Sequence, residues 1–241
     1  MQDKGTVEQA LHFSVDTKQL IGILHPGVDA SKDMAILIAV GGPQTRVGSH
    51  RQFVLLSRFL ADNGISSMRF DYAGMGDSEG VDADFMNVSD DIDAAVKMLK
   101  QQSGANKVVI WGLCDAASSA LIYAKKKNCD DLAGMILLNP WVRSEQGEAK
   151  AIVKHYYLNR FKERAFWAKV FSFKFDIKSS LQSLSGNLLK MSVKKTDAQT
   201  KNEMKTTGEN YIEHMLEGLK TFDKPIMLII SGDDLTASEF I

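Results

Sequence analysis

The stretch KVVIWGLCDAASSALIYA, residues 107–124, constrains the fold more than any other part of the chain. Val108 to Trp111 read as a strand, Ala116 to Ala124 read as a helix, and only a short corner around Cys114 separates them. A strand that passes into a helix through so short a corner turns sharply, and the residues flanking the turn must be small because two backbones crowd there. Gly112 and Ala116 lie two positions either side of Cys114, and Ala117, Ser118, Ser119 and Ala120 let the helix lie close to a sheet. Such a corner puts the Cys114 thiol at a helix N-terminus, where exposed N–H groups and the macrodipole favour a thiolate. The neighbouring Asp115 carboxylate pushes the other way. The alternative is a small buried cysteine, a common interior residue.

The rest of the chain alternates strand and helix. VEQALHFSV (Val7 to Val15) and LIGILH (Leu20 to His25) flank a polar turn and predict a hairpin. MAILIAV (Met34 to Val40) is an unbroken apolar run, as in a parallel strand covered on both faces. HRQFVLLSRFLADNG predicts a helix with Phe53, Leu56, Phe59 and Leu60 inward, stopping at Asn63-Gly64. SDDIDAAVKMLK predicts another, with Ile92, Ala95, Val96 and Leu99 inward. ISSMRF, AGMILLNP and KPIMLIISG are further strands, and all four prolines fall at strand edges. Between Trp141 and Phe222 the alternation gives way to helical, aromatic-rich and then polar sequence. The expected organisation is an α/β core over residues 1–143, a helical cap or lid over 144–220, and the last strand with an acid-bearing loop over 221–241.

A second string competes with Cys114. GDSEG, Gly76 to Gly80, is a literal Gly-x-Ser-x-Gly, the pattern of a serine nucleophile. Its context is wrong: DYAGM separates it from the preceding strand and VDADF after it does not begin a helix. Asp77 and Glu79 also surround Ser78 with negative charge. The same glycines miss the dinucleotide spacing, so neither nucleotide cofactor nor serine chemistry is expected there. For the corner at Cys114, the donors for a developing oxyanion are the Asp115 N–H and one from the loop GGPQ after the Met34–Val40 run. Pro43 has no N–H, so Gly42 or Gln44 donates.

Composition narrows the partners. A net charge of −1 over 241 residues gives no electrostatic footing for nucleic acid. No apolar run reaches the ~18 residues of a membrane span. Two cysteines outside any CxxC or Cys/His cluster predict neither a disulfide framework nor a metal site, and the default is a reducing cytoplasm.

VGGPQTRVGSHRQFVLLSRFLADNGISSMRFDYAGMGDSEG, WGLCDAASSALIYA, LLNPWVRSE, KHYYLNR and SGDDLTASEF together resemble the exosortase A system-associated hydrolases of the first type. These are α/β-hydrolases found beside exopolysaccharide and protein-sorting genes. The resemblance implies an α/β-hydrolase fold, Cys114 as nucleophile, Gly42 in the oxyanion loop, and Asp234 as the acid that orients a catalytic His, with Asp233 as runner-up. Ala73 departs from the Arg more usual in that glycine-rich loop. The His of such a triad follows the acid, yet all five histidines precede Asp234. The sequence therefore predicts one more strand, a His loop and a closing helix beyond Ile241, or else His155 or His214 reaching the site. The functional expectation is a thiol-dependent hydrolase or acyl-transferase acting on a small ester, thioester or lactone. The competing one is a non-catalytic scaffold that binds an acyl or glycan intermediate or a partner protein.

Overall fold

The apolar run at Met34–Val40 lacks polar alternation because its strand is the centre of a seven-stranded sheet. The computed structural model describes residues 7–81, 84–142 and 211–232. Its strands are β1 (Gln9–Val15), β2 (Lys18–His25), β3 (Met34–Ala39), β4 (Ser67–Phe70), β5 (Lys107–Leu113), β6 (Leu132–Leu138) and β7 (Ile226–Ile229). They lie in the order β1-β2-β4-β3-β5-β6-β7. The predicted hairpin is present, with Val15 opposite Lys18 and Asp16 at φ 53° in the turn. β2 joins β4 antiparallel, and every pairing from β4 to β7 is parallel. This is the α/β-hydrolase architecture: a mostly parallel sheet with an N-terminal antiparallel pair.

The pleat sorts side chains by parity. In β3, Ala35, Leu37 and Ala39 enter the larger core, while Ile36, Ile38 and the following Val40 enter a smaller one on the opposite face. β5 does the same, with Val108 and Ile110 on the larger side and Val109 and Trp111 on the smaller. The larger core is covered by α2 (Ser89–Ser103) and α3 (Asp115–Lys126), and α2 buries Ile92, Ala95, Val96 and Leu99 as its periodicity predicts. The smaller core is covered by α1 (Gln52–Asp62), whose Phe53 meets Trp111 edge-to-face at 5.7 Å.

One inward assignment on α1 is wrong. Phe53 and Leu60 are buried and Leu56 packs against them, but Phe59 is 55% exposed, and Ser57 and Ala61 take the inner positions beside Leu60. The helix presents a narrower stripe than its apolar content implied, and small residues let it sit close to the sheet.

The chain divides into two compact units, residues 1–142 with 211–241, and residues 143–210. The second lies outside the described residues. Residues 211–221, most of them within the span expected for the insertion, are helical and belong to the first unit, burying Tyr211 and Met215 in the larger core. Trp141 and Tyr211, on either side of residues 143–210, stack with ring centroids 5.8 Å apart, and Phe85 meets both edge-on.

Candidate active site

The strand order locates the site before any side chain is considered. β3 is followed by β4 on one side and β5 pairs on the other, so the chain reverses its direction of winding beside β3. In such sheets the loops after the two strands flanking the reversal part and leave a crevice at their carboxyl ends. Here those loops carry the two expected groups: Ala39 pairs with Gly112, so Gly41-Gly42 and Cys114 leave the sheet side by side.

Cys114 occupies the sharp corner. It has φ 59° and ψ −122°, a conformation that costs an L-residue about 1–3 kcal/mol, and it stands immediately before α3. The surroundings impose this geometry. Its N–H donates to Leu138 O at 2.9 Å, and its carbonyl accepts from Ala117 N–H at 3.1 Å and Trp141 N–H at 3.2 Å. The close approach explains Gly112, where a Cβ would come within 2.9 Å of the Ala116 and Ala117 backbone. Ser118 Oγ, donating to Trp141 O at 2.7 Å, ties the first turn of α3 to the segment after β6.

Gly42 and Asp115 are brought together, though not as two independent donors. Gly42 N–H donates to the Asp115 side chain at Oδ1, 2.6 Å away. Burial pushes the Asp115 carboxyl above the ordinary carboxylate value, against hydrogen bonds from Gly42, Ala116 and its own N–H. A cavity of about 360 Å³ opens beside them, walled by Gly42, Pro43, Tyr72, Phe85, Asp115 and Ser119 among others. The Tyr72 hydroxyl is buried and has no hydrogen-bond partner among the described residues.

The loop carrying Gly42 is held by a clamp that the sequence did not announce. Arg46 N–H donates to Asp71 Oδ1 at 2.6 Å, its guanidinium bonds Asp71 and Asp77, and its carbonyl accepts from Arg69 Nη1 at 3.3 Å. Asp71 is 1% exposed. Ser78 serves the same region: its hydroxyl donates to Asp71 O at 2.8 Å and accepts from Ile21 N–H at 2.9 Å. It closes a turn with Met75 and joins β2 to the end of β4, a structural role for the serine of GDSEG.

The described histidines divide clearly. His12 and His50 are exposed, and His214 lies on the helical segment 211–221. His25 is fully buried and accepts from Arg69 Nε at 3.1 Å through Nε2, while Glu8 receives Arg69 and Arg58. Burial, then the Arg69 charge, lowers the His25 pKa to about 4. The unfolded chain titrates near 6.5, so between those values it binds a proton that the native state refuses. The stability from neutral His25 is complete above pH 6.5 and is lost as pH falls toward 4. Chemical denaturation of the wild type at pH 7 and pH 4.5 should show a loss on the order of 2 kcal/mol from this group, reduced in His25→Gln; equal losses in both proteins would remove His25 from the account.

Asp234 and Asp233 lie outside the described residues, as does His155. The chain leading to the two aspartates is tied near Cys114: Ser231 N–H donates to Asn139 Oδ1 at 2.9 Å, and Asn139 lies next to Leu138, which receives Cys114 N–H. Among the described residues there is no His/Cys/Asp/Glu cluster able to hold a metal ion, and no helix long and apolar enough to cross a membrane.

No curated protein matches the chain. Among solved structures, an esterase from Pyrococcus furiosus superposes with a TM-score of 0.60 at 15% identity, over 96% of this chain and 72% of its own. The α/β-hydrolase GrgF from Penicillium sp. sh18 gives 0.54 at 17% identity, over 93% and 89%. The chain spans 61% of another solved protein, from Agrobacterium vitis S4. At these identities the likeness is one of fold. The family described as serine aminopeptidase, S33, matches residues 35–239, most of the chain including both loops of the crevice, and the chain belongs to that family of hydrolases.

Proposed function

We propose that the protein is a hydrolase that uses the Cys114 thiolate, in the place of a serine, against a small ester, thioester or lactone. The observation that carries this reading is the strained backbone of Cys114 between β5 and α3, a conformation kept only where surrounding structure enforces it. In the reaction the sulfur attacks the carbonyl carbon and a C–S bond forms. The alcohol or thiol leaves with a proton, and water then cleaves the acyl-thioenzyme to an acid and the free thiol. Attack by another alcohol or amine instead of water would make the outcome acyl transfer. Gly42 and the Asp115 N–H are the proposed oxyanion donors, and Asp234 the acid that orients the histidine base. Of the span 144–220, the part before Tyr211 is proposed as a cap or lid, since Tyr211 and Met215 pack in the core. The resemblance noted in the sequence supports work beside exopolysaccharide or protein-sorting systems, and two cysteines outside any CxxC or Cys/His cluster support a cytoplasmic setting.

A second reading is favoured by one contact. Gly42 N–H is already satisfied by Asp115, as in a scaffold that binds an acyl or glycan group without turning it over. Incubation with an N-acetylcysteamine thioester separates the two. A transient acyl group on Cys114, found by mass spectrometry of the quenched protein and followed by free acid, supports the hydrolase. Saturable binding of the thioester with no adduct at Cys114 would establish the scaffold.

A further inference from the structure

The proposed chemistry wants an unoccupied space where the Asp115 carboxylate sits. Gly42 N–H donates to its Oδ1 at 2.6 Å, and the nearby N–H groups of Ala116 and Asp115 itself favour its charge. It is lodged so closely over Gly41 that a Cβ there would fall within 2.3 Å of the same oxygen. The backbone donors from the β3 loop and the start of α3 thus converge on an anion supplied by the chain. An N–H committed to a resident carboxylate cannot stabilise a second negative oxygen, and two anions there would repel each other.

We propose that Asp115 is the internal occupant of the oxyanion donors and the positioning residue that decides when they are available: Cys114 is acylated only after the carboxylate releases Gly42. This rests on the reading of Cys114 as the nucleophile. The surroundings say how release occurs. Tyr72 approaches from the end of β4 with Asp91 of α2 near it, Asp84 stands at the cavity's exposed side, and Ser119 lies one turn further along α3. The described lining contains no Lys, Arg or His, so among the described residues no cation pins the charge. Two routes remain. Protonation makes the carboxyl a poor acceptor, and burial, reinforced by Asp84, shifts the carboxyl in the direction that favours it. Rotation toward the unpartnered Tyr72 hydroxyl gives the carboxylate a new donor when a substrate carbonyl takes Gly42.

The test compares two reactions of Cys114 in the full chain. Acetylation by p-nitrophenyl acetate forms a C–S bond, expels p-nitrophenolate and uses the oxyanion donors. Methyl methanethiosulfonate forms an S–S bond, expels methanesulfinate, needs the thiolate and makes no oxyanion. The ratio of the two rates therefore isolates the donors from thiol ionisation. In the wild type the ratio should rise as pH falls from 8 to 5. Asp115→Ala should raise it about 10-fold or more at pH 8, since one donor is worth roughly 10²–10³ in rate, and should flatten its pH dependence. Asp115→Asn, close in shape but neutral, should flatten it too with a smaller gain, and the thiosulfonate rate reports that the corner is intact in each variant. A ratio unchanged or lowered in both variants would overturn the proposal and make Asp115 a support for the donors. If the thiosulfonate modifies Cys114 but no protein is acetylated there, the nucleophile reading fails and the proposal falls with it.

Discussion

Cys114→Ala is expected to abolish turnover of activated esters and thioesters, by about 10⁴-fold or more, because removal of a nucleophile leaves only binding and oxyanion stabilisation. The fold should survive. The alanine is smaller and still takes the corner, and the Cys114 backbone contacts to Leu138, Ala117 and Trp141 do not involve the sulfur. The companion measurement is alkylation. Iodoacetamide should modify Cys114 well before Cys129, whose thiol lies after α3 against the carbonyls of Ala124 and Lys127 and is pushed up in pKa by burial. Two outcomes would end the assignment: full turnover in Cys114→Ala, or equal labelling of the two cysteines. In contrast, among the described residues the Ser78 hydroxyl bonds only Ile21 and Asp71, so Ser78→Ala should weaken the join between β2 and β4 while acylation of Cys114 continues.

The corner was legible because its causes are local. Gly112, Cys114 and Ala116 announce a crowded strand-to-helix turn in five consecutive residues, and the crowding is what a Cβ at Gly112 would meet. The central strand was legible for a related reason, since burial on both faces removes the polar alternation from β3. Phe59 misled because aromatic content on α1 outweighed small residues in the reading, whereas close packing onto the sheet favoured Ser57 and Ala61. What could not be read were contacts across the crevice. Gly42 meets Asp115 only because β3 and β5 are neighbours at the reversal of winding, 73 residues apart in the chain. An Asp beside a candidate nucleophile reads as a nearby charge, and nothing in the sequence says that it turns toward the β3 loop. The buried His25–Arg69–Glu8 group was hidden in the same way: its members come from β2, β4 and the segment before β1, and each alone looks like an ordinary polar residue.

Arg46 should prove the costliest surface-loop residue in the crevice. Its side chain is the counter-charge of Asp71, which is buried, and its backbone N–H holds the same carboxylate. Arg46→Ala leaves Asp71 with N–H donors from Arg46 and Asp77 and the through-space attraction of Arg69, but with no cation bonded to it. Stranding a buried charge in this manner costs about 3–5 kcal/mol. Asp77 adds little, because it is 66% exposed and its attraction is screened by water. The expected result in urea denaturation is a fall of the midpoint with little change of slope. Arg46→Met combined with Asp71→Asn removes both charges, and much of the loss should return because no unpaired ion stays buried. Stability and chemistry then part company. The double variant regains its midpoint, yet the Gly42 loop has lost the guanidinium clamp that fixes it to the end of β4, so acylation of Cys114 should stay well below the wild-type rate. A single Arg46→Ala variant as stable as the wild type would mean that Asp71 is held without the Arg46 guanidinium, and that the position of the Gly42 loop does not depend on this pair.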